Sequence, residues 1–429
     1  MKTVPTSPLS IPDYRYFWIA RFSAVLATTA MVVVIGWQLY DLARSDYGMS
    51  VGEASFQLGL LGLVQFVPLA LLTPVAGWVA DRFERRLVAR LANGIDLCIA
   101  LSLGFFTATE ALTLPLLFGL AAMHGIARVF TGPAMAAIAP NIVPPALLPR
   151  AIAMNSIAWQ GASVAGPAMG GVLYAVDPDL AYWVSAGCLL LAIVALTPVR
   201  RVMPPPIAGH AHPIRQMADG LSYVKHHRFL LGAITLDLFA VLLGGATALL
   251  PVFARDILMV GPEGLGWLRA SPAIGAAFVA LWFSWRPLHH NVGIKMLLSV
   301  AGFGAATIVF GLSQSMLISM GALIVLGGMD MLSVYVRSSL VQLHTPDTMR
   351  GRVSAVSGLA ISASNELGEL QSGIAAALLG PVGAVVAGGA GAIAVTGLYA
   401  YYFPELRRAR TFDPPQTALS EAVMQEKPA

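Results

Sequence analysis

Apolar residues gather in twelve runs, centred near residues 28, 68, 98, 126, 161, 188, 242, 275, 303, 329, 364 and 392. Each is about 20 residues or longer, the length an α-helix needs to cross the hydrocarbon core of a bilayer. Short polar stretches separate them, and the longest runs from Arg200 to Arg228. The pattern predicts an all-α polytopic membrane protein with twelve transmembrane helices. An even number of crossings puts both termini on one side.

The polar stretches differ in sign by parity. One set carries Arg82, Arg85, Arg86, Arg90, Arg150, Arg200, Arg201, Arg215, Lys225, Arg228, Arg286, Lys295, Arg350 and Arg352; the other is mainly acidic, with Asp46, Glu53, Glu110, Asp177, Asp179, Asp256 and Glu263. Arg44 and Arg255 are basic exceptions in the acidic set. Basic loops stay in the cytoplasm, so both termini are expected there.

Composition agrees. Of 429 residues, 57% are hydrophobic and 11% charged, with a mean hydropathy of +0.74, whereas a soluble domain has about a quarter of its residues charged. The pI near 9.1 follows from the loop arginines and implies no nucleic-acid partner. Cys98 and Cys188 each sit in an apolar run, without disulfide or metal-ligand spacing. The opening residues lack the basic start and cleavage site of a signal peptide, so the first helix is expected to insert uncleaved.

The stretch from Arg200 begins with Pro204, Pro205 and Pro206 and then places Ile214, Met217, Leu221 and Val224 at helical spacing among charges, which predicts an amphipathic helix lying on the inner surface. It divides the chain into an N-terminal six-helix bundle (12–200), a cytoplasmic linker (201–227), a C-terminal six-helix bundle (228–405) and a cytoplasmic tail (406–429). A shift of 202 positions carries Gly125 to Gly327, Pro144 to Pro346, Arg150 to Arg352, Ala153 to Ala355, Gly166 to Gly368 and Gly171 to Gly373. Such parallel repeats, related by an axis along the membrane normal, are a transporter architecture with the substrate site between them near the midplane.

Between the second and third runs stands Gly77, Trp78, Val79, Ala80, Asp81, Arg82, Phe83, Glu84, Arg85, Arg86, with five charged residues in ten. Gly77 and Asp81, four residues apart, share a helix face on which a second helix can approach a carboxylate. The run resembles the loop between helices 2 and 3 of major facilitator superfamily transporters, Gly-x-x-x-Asp-Arg/Lys-x-Gly-Arg/Lys-Arg/Lys, and departs from it at Glu84, where the family usually has Gly. The resemblance covers about Asp13 to Arg408. It implies two six-helix repeats in the major facilitator fold, with Gly77, Asp81, Arg82, Arg85 and Arg86 as a conformational latch. Asp81 is expected to cap the helix near Gly351 to Ser354 when the inner side is closed.

Segment 5 contains Gly166, Pro167, Ala168, Met169, Gly170 and Gly171, where the glycines open a groove for a facing helix and Pro167 removes a backbone donor. It is similar to the Gly-Pro-x-x-Gly-Gly motif of the superfamily's proton-coupled exporters, which implies efflux. Any tightly packed helix pair could also use it. In segment 4, His124, Arg128 and Gly132 fall on one face. An intramembrane arginine costs about 2.5 to 3.5 kcal/mol and so belongs against a partner or water. Arg128 resembles the fourth-helix arginine that the same exporters use in proton coupling. Together with Pro133, Ala134 and the stretch Pro140 to Arg150 it looks like the branch that includes siderophore exporters, although an arginine that only ties helices together would look the same.

The other charges within apolar runs are Asp96, Asp237, Asp330, Arg337, Glu366 and Glu369. Asp330 stands at the repeat position of Arg128, so the two are expected to approach each other across the cavity, or to share substrate, in at least one state. Glu366 and Glu369 are one turn apart, and two like charges that close in low dielectric leave at least one protonated. Asp237, Asp330, Glu366, Glu369 and Arg128 are thus candidates for proton coupling, with structural pairing the alternative for each acid. Asp96 reads as structural, because the third helix is peripheral in the family. Candidates for the substrate cavity are Trp37, Gln38, His124, Arg128, Asp330 and Arg337, though Trp and Tyr also gather at membrane interfaces. No nucleotide-binding, metallohydrolase or serine-hydrolase motif is present. The expected protein is no enzyme but a secondary transporter of a bacterial inner membrane, acting without a cofactor or metal on a small organic molecule in exchange for protons, and as a monomer. An importer or lipid transporter of the same fold is the alternative, and a membrane enzyme or sensor with a transporter-like body is the alternative of another class.

Overall fold

Crossing 7 does not run straight through. In the computed structural model, which describes residues 7–203 and 213–412, helix α8 (Arg228–Leu243) stops at Gly244 and Gly245 and resumes as a 3-10 turn (Ala246–Leu249), a short α9 (Leu250–Val252) and a π-helical turn (Phe253–Ile257). The glycines cost helix stability and Pro251 supplies no donor, so the backbone there is irregular beside the cavity.

The remaining crossings are α1 (Pro12–Ser45), α2 (Val51–Arg82), α3 (Arg85–Ala108), α4 (Leu114–Ile142), α5 (Leu148–Val176) and α6 (Leu180–Leu196), then α10 (Gly261–Trp285), α11 (Val292–Leu312), α12 (Met316–Leu343) and the two arms of α13 (Asp347–Tyr402). Alpha-helical φ/ψ fails inside α13 at Gly380 (φ 73°), and Pro381 follows. A glycine in the left-handed region before a proline makes the turn between crossings 11 and 12. Twelve crossings result, and no strand occurs among the described residues. Helix α6, with 17 residues, is shorter than the run predicted.

Helices α1 to α6 pack on one another, α8 to α13 do likewise, and the two sets meet mainly along α2 with α13 and α5 with α10. The glycines paired by the 202-residue shift make equivalent contacts. Gly125 abuts the Gln65 backbone of α2 and Gly327 the Pro272 backbone of α10; Gly166 abuts α1 and Gly368 abuts α8. Gly171 lies on Gly266 of α10, as Gly373 lies on Gly59 of α2.

The amphipathic stretch forms α7 (Pro213–His226), but it rests on protein. Gly220 fits against the Arg352 carbonyl, Asp219 lies 3.4 Å from the Arg352 guanidinium, and Val224 is buried with Leu230, Ile234, Val341 and Val353. Its apolar face is thus partly spent on α13. The expectations for 204–212, for the side chain of Ile214 and for the tail from 413 fall outside the described residues.

Candidate functional site

A cavity of about 550 Å³ lies between the two sets of helices, within the size range of sites for small organic molecules. Its walls are largely apolar, from Val32, Val33, Leu58, Leu61, Leu265 and Phe303. Set into them are Arg128 of α4, Arg269 of α10, Asp330 of α12 and Glu366 and Glu369 of α13. Arg128 Nη1 stands 3.5 Å from Glu366 Oε1 and 3.3 Å from Gln65 Oε1, so α4 of one set reaches α13 of the other. Arg269 donates to the Thr247 carbonyl at 2.9 Å, inside the break of crossing 7. Glu369 packs against Gly62 of α2.

Asp330 lines both this cavity and a small pocket behind it that also touches Asp237. Asp237 is held by Arg337 at 3.2 Å, with side chains 7% and 2% exposed. Arg337 therefore serves a buried pair within α8 and α12 and does not line the cavity. His124 does not line it either; it is wholly buried, with Nδ1 2.8 Å from Asp96 Oδ1. Gln38 is buried in a chain in which it donates to Thr107 at 3.0 Å and accepts from Tyr182 at 2.6 Å. Trp37 is 8% exposed and is also absent from the lining. Of the six cavity candidates, Arg128 and Asp330 are brought to the cavity. They are not joined to each other, because Arg128 is spent on Glu366.

The acidic end of the molecule is shut. Tyr40 donates to Asp256, Arg255 Nη1 lies 2.9 Å from Asp41 Oδ1, and Arg44 lies 3.8 Å from Asp256. These contacts tie the end of α1 to the π-helical turn of crossing 7. Gly171 against Gly266 and Gly59 against Gly373 close the same half of the molecule by backbone approach. Pro167 belongs to that seam through its carbonyl, while Gly166 and Gly170 face α1.

At the basic end no described side chain or backbone packs on the glycines of α2 and α13. A Cβ at Gly77, Gly351 or Gly358 would meet nothing within 4 Å. The side chain of Asp81 lies outside the described residues. Arg82 lies over the Trp78 ring at 4.9 Å, Arg85 donates to the Ala137 carbonyl and Arg86 binds Glu84 and the carbonyls of Thr197 and Val199. The described arginines of this loop thus brace their own half.

The chain matches the family described as transmembrane secretion effector over residues 3–426. It is a major facilitator of that family. The enterobactin exporter EntS of Escherichia coli O1:K1 is 26% identical over 420 residues, 96% of each chain. Two inward-facing structures of a bacterial homolog to the human lysosomal transporter Spinster share its fold. The occupied one has a TM-score of 0.72 at 15% identity, covering 94% of this chain and 99% of that one. The unoccupied one has 0.68 at 16% identity, covering 92% and 97%. The protein is therefore a multi-pass membrane transporter of the major facilitator type, and its relatives and fold neighbours are transporters.

Arg269, Gln65 and Gln160 are cavity residues that the sequence patterns did not single out. Gly266 is the counterpart of Gly59, a shift of 207, and the same shift carries Gly62 to Arg269 and Gln65 to Pro272. A search for repeats helix by helix would have put Arg269 beside the midplane.

Proposed function

We propose that this major facilitator exports a small organic molecule across a bacterial inner membrane in exchange for protons, by alternating access, as a monomer with both termini in the cytoplasm. The observation that carries the reading is the contact of Arg128 with Glu366 across the cavity, in a wall that also holds Glu369, Asp330 and Arg269. A carboxylate whose cation sits on the other half loses that cation when the halves rearrange. It then takes a proton, because an uncompensated charge in a low-dielectric wall is expensive. Proton binding is thereby tied to the change of access.

An inward-facing member of the cycle fits the contacts of Tyr40, Asp41, Arg44, Arg255 and Asp256 at the acidic end and the open faces of Gly77, Gly351 and Gly358 at the basic end. In the opposite state the loop of Gly77 to Arg86 would meet the start of α13, with Asp81 at its amino end, where a carboxylate is favoured. The enterobactin exporters among the relatives favour efflux of a siderophore-like substrate. Retention of enterobactin and of a panel of drugs in cells with and without the protein tests this. Lower retention of one compound in expressing cells is expected; higher retention would mark an importer instead.

A further inference from the structure

Behind Arg128, on the side away from the cavity, lies a polar cluster that the proposed exchange leaves unused. Asp96 and Asn93 of α3 and His124 of α4 are 1%, 0% and 0% exposed. His124 Nδ1 and Asp96 Oδ1 are 2.8 Å apart. The atoms turned the other way, His124 Nε2, Asp96 Oδ2 and both amide atoms of Asn93, have no hydrogen-bond partner among the described residues. A pair that served packing alone would be expected to have its polar atoms satisfied.

The charged surroundings are sparse. His124 and Arg128 are the only ionisable residues of α4, and on α3 the groups nearest to Asp96 are the Cys98 thiol two positions on and Arg90 six positions earlier. Of the helices packed on α3 and α4, α1 has no charge between Arg21 and Asp41, α2 none between Glu53 and Asp81, and α6 carries only Tyr182 and Cys188 as ionisable groups. The charges nearest the pair are thus Arg128, one helical turn along α4, and Glu366, which Arg128 reaches across the cavity.

Charge balance then constrains the pair. An aspartate beside a neutral imidazole is a net negative charge without solvent, whereas one proton held along the Asp96–His124 hydrogen bond makes the pair neutral in sum. While Arg128 is spent on Glu366, the neutral form fits. Once the halves move and Arg128 loses Glu366, its charge faces the pair alone, and the pair balances it by giving up the proton. Glu366, left without its cation, takes one up. One proton leaves the imidazole–carboxylate pair for cavity water and one joins the Glu366 carboxylate, so the count closes.

The geometry points to Asp96 and His124 as a second proton-carrying site, which hands a proton over as Arg128 leaves Glu366. This rests on the proton-exchange reading above, but its test needs no transport. Infrared difference spectra of the purified full chain in nanodiscs, recorded without substrate between about pH 5 and about pH 9, report which carboxyl and imidazole groups change protonation. Expected are bands that vanish in Asp96→Asn and in His124→Gln and that change by about twofold or more in Arg128→Gln, as coupling between the two sites requires. Because Arg128→Gln leaves the buried pair itself intact, it serves as the informative variant if either pair variant folds poorly. Spectra of the pair variants that match wild type would overturn the proposal, as would pair bands indifferent to Arg128→Gln. Failure of the proton-exchange reading shows elsewhere, as wild-type transport indifferent to a pH gradient.

Discussion

Arg128 reaches Glu366 at 3.5 Å across the space between the two six-helix sets. The repeat position had pointed to Asp330 as its partner, but Asp330 stands over the small pocket shared with Asp237. A double-mutant cycle on transport rate separates the two arrangements. Arg128→Ala and Glu366→Ala are each expected to lower the rate by about tenfold or more, with the double variant no worse than the worse single one. Arg128→Ala and Asp330→Ala are expected to be additive in the same assay. Additivity in the first cycle and coupling in the second would reverse the assignment.

The closed acidic end hangs on few polar groups. Arg255 meets Asp41 and Ser45, and its guanidinium stands 5.9 Å from the Tyr40 ring. These side chains are partly exposed, so each contact is worth about 1 kcal/mol or less. Arg255→Ala is expected to raise the outward-open population about two- to fivefold. Spin labels at Tyr47 and Met259, both exposed at this end, with Cys98 and Cys188 replaced, read the distance. An unchanged distance distribution would remove this cluster from the gate.

At Gly171 the backbones of α5 and α10 meet, a Cβ there pressing on the Pro262 carbonyl and lying 2.9 Å from the Gly266 Cα. Gly171→Leu is expected to hold the two helices apart and cut transport about tenfold or more, since neither backbone can yield as a flexible side chain would. Gly119→Ala, where a Cβ meets nothing within 4 Å, is the control and should leave the rate unchanged. Equal rates in the two variants would show that the seam does not govern the cycle.

The sequence made the crossings and the repeat legible because each rests on a local rule: run length, loop charge, and small residues at a fixed shift. Even the two basic exceptions carried information, for Arg44 pairs with Asp256 and Arg255 with Asp41 at the acidic end. What escaped was the direction in which a buried polar side chain points. Trp37, Gln38, His124 and Arg337 turn into their own half, where Gln38 meets Tyr182, His124 meets Asp96 and Arg337 meets Asp237. Helical spacing says which residues share a face, not which neighbour that face meets. Arg269 escaped for a different reason: α2 and α10 align at a shift of 207, so the shift of 202 passed it by.

The most direct test of proton-driven export is uptake of enterobactin into everted membrane vesicles containing the protein, with the lumen acidified by respiration. In such vesicles export appears as uptake. The account predicts accumulation that collapses when an ionophore exchanges protons for potassium, and loss of that gradient dependence in Glu366→Gln, while binding of enterobactin stays within about threefold of wild type. Accumulation that ignores the gradient, or that keeps its full gradient dependence in Glu366→Gln, would contradict it.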